Sequence, residues 1–81
     1  MADRFILIAE NIRSLHNVGA LFRTADAMRV DRLYLCGYTA VPPRPEITKV
    51  SLGAEQTVPW EQRVDRLEPL RGNGVERVRQ P

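Results

Sequence analysis

The apolar residues of this chain form two short runs with a helically spaced stretch between them. Phe5 to Ala9 is continuously apolar, and Leu33 to Cys36 is a second such run, as is typical of strands buried on both faces of a parallel sheet. Between the runs, apolar residues recur at intervals of three and four: Val18, Leu21, Phe22, Ala25 and Met28. The pattern predicts a strand–helix–strand unit, with a helix over residues 18–28 joining two parallel strands.

The loop before this helix is predicted at a functionally important edge of the sheet. Residues 10–16 follow the first strand, and open α/β sheets bind ligands beyond the carboxyl ends of their strands. Asn17 is the predicted N-cap residue, because its side-chain oxygen can accept from the free N–H groups of the first turn. Ligand-binding side chains are therefore expected in this loop and the first helical turn.

The rest of the chain contains more proline and glycine. Pro45 is predicted in the first turn of a short helix over residues 46–52, which Gly53 ends. Thr57 and Val58 are predicted to form a brief strand, and Trp60 to anchor the core. Further predictions for the last twenty residues are a helical stripe (Val64, Leu67, Leu70) interrupted by Pro69, a turn over residues 72–74, and a third strand at Val75 and Val78.

Composition indicates one small globular domain. The chain has 81 residues, of which 43% are hydrophobic and 27% charged, and this argues against full disorder. The net charge of +2 says little about partners. Every basic residue except Lys49 is an arginine, which suits bidentate phosphate contacts, although a GC-rich coding sequence explains the bias equally well.

Two classes of protein are disfavoured. Cys36 is the single cysteine, so neither an intrachain disulfide nor a cysteine metal cluster can form, and no metal site is expected. Asp3 and Arg4 lead into only five apolar residues, which is unlike a signal peptide, and no segment approaches the ~20 residues needed to span a bilayer. A soluble cytoplasmic protein without membrane contact is expected.

Two blocks of the sequence resemble a known family. The first consists of Asn11-Ile12-Arg13-Ser14, Asn17-Val18-Gly19-Ala20 and Arg23-Thr24-Ala25-Asp26-Ala27. The second consists of Gly37-Tyr38-Thr39-Ala40, Pro42-Pro43, Ile47-Thr48-Lys49 and Leu52-Gly53-Ala54-Glu55, and Val58-Pro59-Trp60-Glu61 continues it. The first block resembles motif 1 of the SpoU (TrmH-like) RNA ribose 2′-O-methyltransferases of the SPOUT superfamily. The second block resembles the segment that follows in many small bacterial members.

The resemblance implies an α/β fold with a short parallel sheet and a crossover helix. Residues 1–61 would be the N-terminal part of a SpoU-type α/β-knot methyltransferase domain, and residues 62–81 a divergent or truncated tail without the knot region. The implied activity is S-adenosylmethionine-dependent ribose 2′-O-methylation of tRNA or rRNA, by a homodimer in the full-length family. The later motifs that build the S-adenosylmethionine pocket do not appear, so no cofactor-binding residue is assigned.

The resemblance also suggests site residues. Asn17 and Arg23 correspond to the active-site asparagine and arginine of motif 1. Because a guanidinium has a pKa above 12, removing its proton at pH 7 costs roughly 7 kcal/mol. Electrostatic stabilisation is therefore favoured over general-base catalysis for Arg23, with Asn17 holding the ribose or the arginine. The candidate RNA-binding residues are Asn11, Arg13, Ser14, His16, Arg44 and Lys49.

Other interpretations remain open. From spacing alone, Asn17 and Arg23 read as a helix cap and a solvated surface arginine, and a solvated face is an equal alternative for Arg44 and Lys49. Glu55 aligns with a family glutamate of unassigned role. The main functional alternative is a non-catalytic RNA-binding module. A half-Rossmann nucleotide binder is weakly supported, because the first turn lacks G-x-G-x-x-G.

Overall fold

The computed structural model describes residues 5–63 and 75–79, which contain a four-stranded parallel sheet. The order of the strands across the sheet is β3-β2-β1-β4, and every neighbouring pair is parallel. This confirms the predicted α/β class and the parallel pairing of the first two strands. The elements are β1 (Ile6–Glu10), α1 (Leu15–Met28), β2 (Arg32–Cys36), α2 (Pro45–Ser51), a 3₁₀ helix (Ala54–Gln56), β3 (Trp60–Arg63) and β4 (Val75–Arg79).

Helix α1 begins three residues earlier than predicted, and the assignment of Asn17 as its N-cap was wrong. Ser14 is the N-cap: its backbone is extended, and its Oγ accepts a hydrogen bond from the Asn17 N–H at 3.1 Å. The serine satisfies one of the free donors of the first turn. Asn17 therefore lies inside the helix, and its exposed side chain has no capping role.

The structure differs from the prediction in the segment that follows α2. Helix α2 begins at Pro45 as expected, and the left-handed residues Leu52 (φ 55°) and Gly53 (φ 87°) follow it. The strand predicted at Thr57 and Val58 is absent, because both N–H groups donate back to the carbonyl of Ala54, at 3.0 and 2.9 Å. The chain turns there, and β3 begins at Trp60.

The strand predicted at Val75 and Val78 is confirmed as β4. It pairs with β1, at the opposite edge of the sheet from β3. The predicted helical stripe over residues 64–70 and the turn over residues 72–74 lie outside the described residues.

The two faces of the sheet carry separate apolar clusters. Leu7, Leu33 and Leu35 pack with the helices, where the buried residues are Val18, Phe22, Ala25 and Ile47. Ile8 and Cys36 are buried on the other face. Half-buried Trp60 meets Phe22 edge to face, with ring centroids 6.1 Å apart, so it packs against the core as predicted. None of the described helices is long and apolar enough to cross a membrane.

Gly19 allows α1 and α2 to pack closely. A Cβ at this position would lie 2.8 Å from the Ile47 carbonyl oxygen and 2.8 Å from the Val50 Cβ. Alanine gains about 0.8–1 kcal/mol of helix propensity, but overpacking typically costs about 1–3 kcal/mol. We expect Gly19→Ala to destabilise the fold by up to about 2 kcal/mol net, because the Ile47 backbone carbonyl cannot move aside as a flexible side chain could.

Urea unfolding followed by circular dichroism measures this effect. Ala27→Ser on the exposed face of the same helix is the control, and it should leave the midpoint nearly unchanged. A Gly19→Ala variant more stable than the wild type would contradict the close helix contact.

Candidate active site and RNA interface

The loops that follow β1 and β2 are joined through Asn11. Its backbone is left-handed (φ 57°), its N–H donates to the Cys36 carbonyl at 3.2 Å, and its Oδ1 accepts from the Tyr38 N–H at 3.2 Å. Gly37 is also left-handed (φ 64°), and a Cβ there would lie 1.9 Å from Asn11 Oδ1. Only glycine fits this position, and the Asn11 oxygen is engaged within the protein.

Thr39 makes a second connection between the same loops. Its side chain is buried, its Oγ1 accepts from the Ile12 N–H at 3.0 Å, and its hydroxyl donates to the Cys36 carbonyl at 2.8 Å. A buried hydroxyl that both donates and accepts fixes the loops relative to each other. Nothing in the sequence pattern indicated this role.

Arg13 and Tyr38 form the exposed surface of the joined loops. Arg13 Nε donates to the Tyr38 hydroxyl at 3.0 Å, and the guanidinium carbon lies 5.7 Å from the ring centroid. The hydrogen bond that Arg13 donates to the Tyr38 hydroxyl raises the pKa of Arg13 above its ordinary value. Arg13 is therefore a fixed cation at this edge of the sheet.

The first turn of α1 presents two exposed polar side chains. Ser14 is engaged as the N-cap, whereas His16 and Asn17 face solvent. Asn17 contributes to a groove of about 230 Å³, which is also lined by Ile12, Ala20, Leu21, Thr24 and Val78. Its side chain makes no hydrogen bond to any other described residue, so it is free to meet a ligand.

Arg23 lies between two shallow grooves on the exposed side of α1. One, of about 410 Å³, is also lined by His16, Ala20, Thr24, Ala27 and Val50. The other, of about 400 Å³, is also lined by Asp26, Ala27, Ser51, Leu52, Gly53, Ala54 and Thr57. Within residues 5–63 and 75–79 the Arg23 guanidinium makes no hydrogen bond or ion pair, and small side chains leave it accessible.

Asn17 and Arg23 do not contact each other by hydrogen bonding in the described part of the chain. They are six residues apart, or about 9 Å along the helix axis at ~1.5 Å per residue. They line neighbouring grooves that share Ala20 and Thr24. This arrangement favours two separate contacts with one extended ligand over an asparagine that holds the arginine.

The remaining candidate residues are Arg44, which immediately precedes α2, and Lys49, which lies on it. Arg44 is its N-cap residue without a side-chain capping bond, and Lys49 lies in its last turn, where a cation suits the helix dipole. Both side chains are exposed, and neither lines the grooves beside Arg23. The structure therefore does not bring them together with Arg23 and Asn17.

Glu55 connects the 3₁₀ helix to α2. Its carboxylate accepts hydrogen bonds from Ser51 Oγ and from Thr48 Oγ1, the latter at 2.7 Å, and its carbonyl accepts from Trp60 Nε1 at 3.2 Å. The hydrogen bonds from Ser51 and Thr48 lower the pKa of Glu55 below its ordinary value of 4.5. Its role in this structure is to hold the backbone beside Arg23.

The lowered pKa of Glu55 predicts a pH-dependent contribution to stability. Because the folded state favours the carboxylate, this contribution is present above about pH 4.5 and is lost as the pH falls through the folded pKa. Glu55→Gln should be less stable than the wild type at pH 7, and the difference should shrink below pH 4.5. Urea midpoints across this range measure it. Glu76→Gln, at an exposed position of β4, is the control, and a constant Glu55→Gln difference at all pH values would contradict the linkage.

Glu10 pairs its buried carboxylate with two arginines of β4, of which Arg79 is exposed and Arg77 partly buried. It is the last residue of β1, its side chain is 1% exposed, and Oε2 lies 3.2 Å from Arg77 Nη1. Its Oε1 pairs with Arg79, the residue directly opposite in the β1–β4 register. The sequence pattern placed Glu10 in the loop, but its charge is engaged in joining two strands.

Comparison with known proteins identifies the family. The model of the SpoU rRNA Methylase family matches residues 4–78. The chain belongs to this family. The match confirms the resemblance seen in the two sequence blocks, whereas the predicted division of the chain after residue 61 stays a prediction.

SpoU relatives share both sequence and fold with the chain. The 23S rRNA (guanosine-2′-O-)-methyltransferase RlmB of Neisseria meningitidis serogroup B is 38% identical over 55 residues, or 68% of this chain and 22% of that protein. An rRNA methyltransferase from Sinorhizobium meliloti superimposes with a TM-score of 0.70 at 25% identity, covering 74% of this chain and 23% of that one. The SpoU methyltransferase AviRb from Streptomyces viridochromogenes, in complex with AdoMet, gives a TM-score of 0.68 at 25% identity, covering 74% and 24%. The chain thus spans about a quarter of the length of these relatives.

The grooves beside Arg23 and Asn17 are open surfaces. The carboxylates near them have partners among the described residues: Glu10 pairs with Arg77 and Arg79, Glu55 accepts from Ser51 and Thr48, and Asp26 accepts from Thr57. That this chain contains no cofactor-binding residue stays a prediction.

Proposed function

We propose that this chain carries the RNA-facing side of an S-adenosylmethionine-dependent ribose 2′-O-methyltransferase that acts on tRNA or rRNA. The observation that carries the proposal is Arg23, an exposed arginine of the SpoU motif, set among small residues between two grooves. Within the described residues, it makes neither a hydrogen bond nor an ion pair. A cation exposed in this way is available to a phosphate or a ribose oxygen.

The proposed role of Arg23 follows from the charge change in the reaction. Methylation replaces the proton of a ribose 2′-hydroxyl with a methyl group that the donor supplies, and negative charge develops on the oxygen. A guanidinium near this oxygen stabilises the charge without giving up a proton. Its planar fork can bind a neighbouring phosphate at the same time, and Asn17, one groove away, can orient the ribose.

The cationic residues around the site are proposed to contact the RNA backbone. Arg13 and His16 lie at the N-terminal end of α1, as Asn17 does, whereas Arg44 and Lys49 extend from α2. Ser14 and Asn11 support this surface through their internal hydrogen bonds. Phosphate contacts of this kind fix the register of an RNA.

The donor and the assembly are proposed from family membership alone. The AviRb structure contains AdoMet, and we propose the same donor for the protein that includes this chain. Homodimer formation and a cytoplasmic location are likewise proposed from the family. Sedimentation of the purified protein tests the dimer, and a monomer at all concentrations would contradict it.

Transfer of labelled methyl groups from S-adenosylmethionine to bulk tRNA and rRNA tests the proposed function. The expected product is a dinucleotide that resists alkaline hydrolysis, because a methylated 2′-oxygen cannot attack the neighbouring phosphate. Label in alkali-sensitive nucleotides would contradict ribose methylation. Heat-denatured protein provides the background.

The alternative function is a non-catalytic RNA-binding module, which needs no donor-binding segment. Calorimetric titration of the protein that includes this chain with S-adenosylmethionine separates the two possibilities. Binding of the donor supports the enzyme. RNA binding without donor binding supports the module.

A further inference from the structure

Tyr38 is an exposed aromatic side chain at the carboxyl end of the sheet. It is 55% exposed, whereas large aromatic rings stabilise proteins mainly when they are buried in a core or an interface. It follows the left-handed Gly37 and lies over the loop that leads into α1. Its partner Arg13 precedes Asn17 by four residues, so the ring lies beside the N-terminal end of the proposed site.

Hydrogen bonds fix Tyr38 at its backbone and at its side-chain hydroxyl. Its backbone N–H donates to Asn11 Oδ1 at 3.2 Å, and its hydroxyl accepts from Arg13 Nε at 3.0 Å. The adjacent residue, Thr39, is buried and hydrogen-bonded to Ile12 and Cys36. A ring fixed in this way loses little conformational freedom when a ligand stacks on it.

The chemistry of the pair selects a particular kind of ligand. An exposed aromatic face stacks on any nucleobase, and a nearby arginine adds a cation for the phosphate backbone. Bases inside a duplex are already stacked on each other, so a protein ring can reach only unpaired ones. The Arg13 guanidinium lies over part of the ring, 5.7 Å from its centroid, but Tyr38 is exposed and ring surface is left open to a base.

We propose that Tyr38, with Arg13, is a stacking platform for an unpaired nucleobase of the RNA substrate. This role rests on the proposed function and narrows its substrate class to RNA whose bases near the target ribose are single-stranded. Arg13 acts both as the clamp on the Tyr38 hydroxyl and as a contact to the adjoining phosphate.

Equilibrium binding of two fluorescent RNAs tests the platform. One is a single-stranded oligonucleotide, and the other is a blunt duplex that contains the same sequence. Tyr38→Leu removes the ring at an exposed position, whereas Tyr38→Phe and Tyr38→Trp keep an aromatic face. Circular dichroism and urea unfolding of each variant confirm that it is folded.

The platform predicts a specific order of dissociation constants. Tyr38→Leu should weaken single-stranded RNA binding about fivefold or more. The phenylalanine and tryptophan variants keep an aromatic face but lose the Arg13 bond to the hydroxyl, so each should lose less affinity than the leucine variant. Duplex binding should be unchanged in all three. Equal losses for both RNAs, or no loss in Tyr38→Leu, would overturn the platform and leave the proposed function intact. Failure of the unchanged protein to bind either RNA would overturn the proposed function and the platform with it.

Discussion

Arg23→Ala, in the protein that includes this chain, is expected to lower the rate of the proposed methyl transfer to RNA by about 10²–10³-fold, the usual effect of removing one donor that stabilises a developing oxyanion. The side chain is exposed and, within the described part of the chain, makes no hydrogen bond or ion pair. Its removal should therefore change the free energy of unfolding by less than ~0.5 kcal/mol. A large loss of activity with unchanged stability is the signature of a catalytic contact.

Arg23→Lys distinguishes a specific contact from a general charge effect. Lysine keeps the positive charge but loses the planar fork, so activity should remain well below that of the wild type. Arg32→Ala is the control, because Arg32 is exposed, lies at the start of β2 and, among the residues that the structure describes, makes only a 4.0 Å surface pair with Glu61. Single-turnover methyl transfer with saturating RNA is the measurement. Full activity in Arg23→Ala would exclude the proposed role.

The double variant Arg77→Met/Arg79→Met is expected to destabilise the fold by about 3 kcal/mol or more, as is typical when a buried charge loses its partners. The Glu10 carboxylate is 1% exposed, and both of its oxygens pair with these arginines. Small domains have a total stability of about 5–15 kcal/mol, so this loss is a large share. Urea unfolding at neutral pH is the measurement.

Restoring the charge balance tests the cause of this loss. The triple variant that adds Glu10→Met should recover much of the stability, because replacing a complete buried ion cluster with apolar residues is often neutral. Arg32→Ala, which removes a surface arginine, should cost less than ~1 kcal/mol. A double variant as stable as Arg32→Ala would show that β4 is held without this cluster.

The local elements of the fold were predictable because they depend on nearby residues. Two continuous apolar runs indicated β1 and β2, the helical spacing of the apolar residues between them indicated α1, and proline indicated the start of α2. The N-cap was misassigned because serine and asparagine three positions apart are both good caps, and backbone geometry decides between them. Thr57 and Val58 have a high β propensity, but the local hydrogen bonds to Ala54 form a turn instead.

The long-range contacts of the site were not predictable in this way. The pairing of Glu10 with Arg77 joins residues 67 positions apart, and it depends on the register of β4 beside β1. Likewise, the bonds from Thr39 to Ile12 and from Tyr38 to Arg13 exist only because two parallel strands end side by side. Arg23 and Asn17 were identified from the family motif, whereas the surface around them required the fold.

The joined loops also limit how a nucleotide can enter the site. Hydrogen bonds through Asn11, Thr39 and Tyr38 tie the two loops into one rigid body. The opposite wall, formed by α2 and the 3₁₀ helix, packs on α1 through buried Ile47, and the Glu55 carboxylate joins its two parts. A nucleotide therefore meets the loop side of the proposed site already ordered, and amide hydrogen exchange should be slow at Ile12 and Tyr38, whose N–H groups donate across the joined loops.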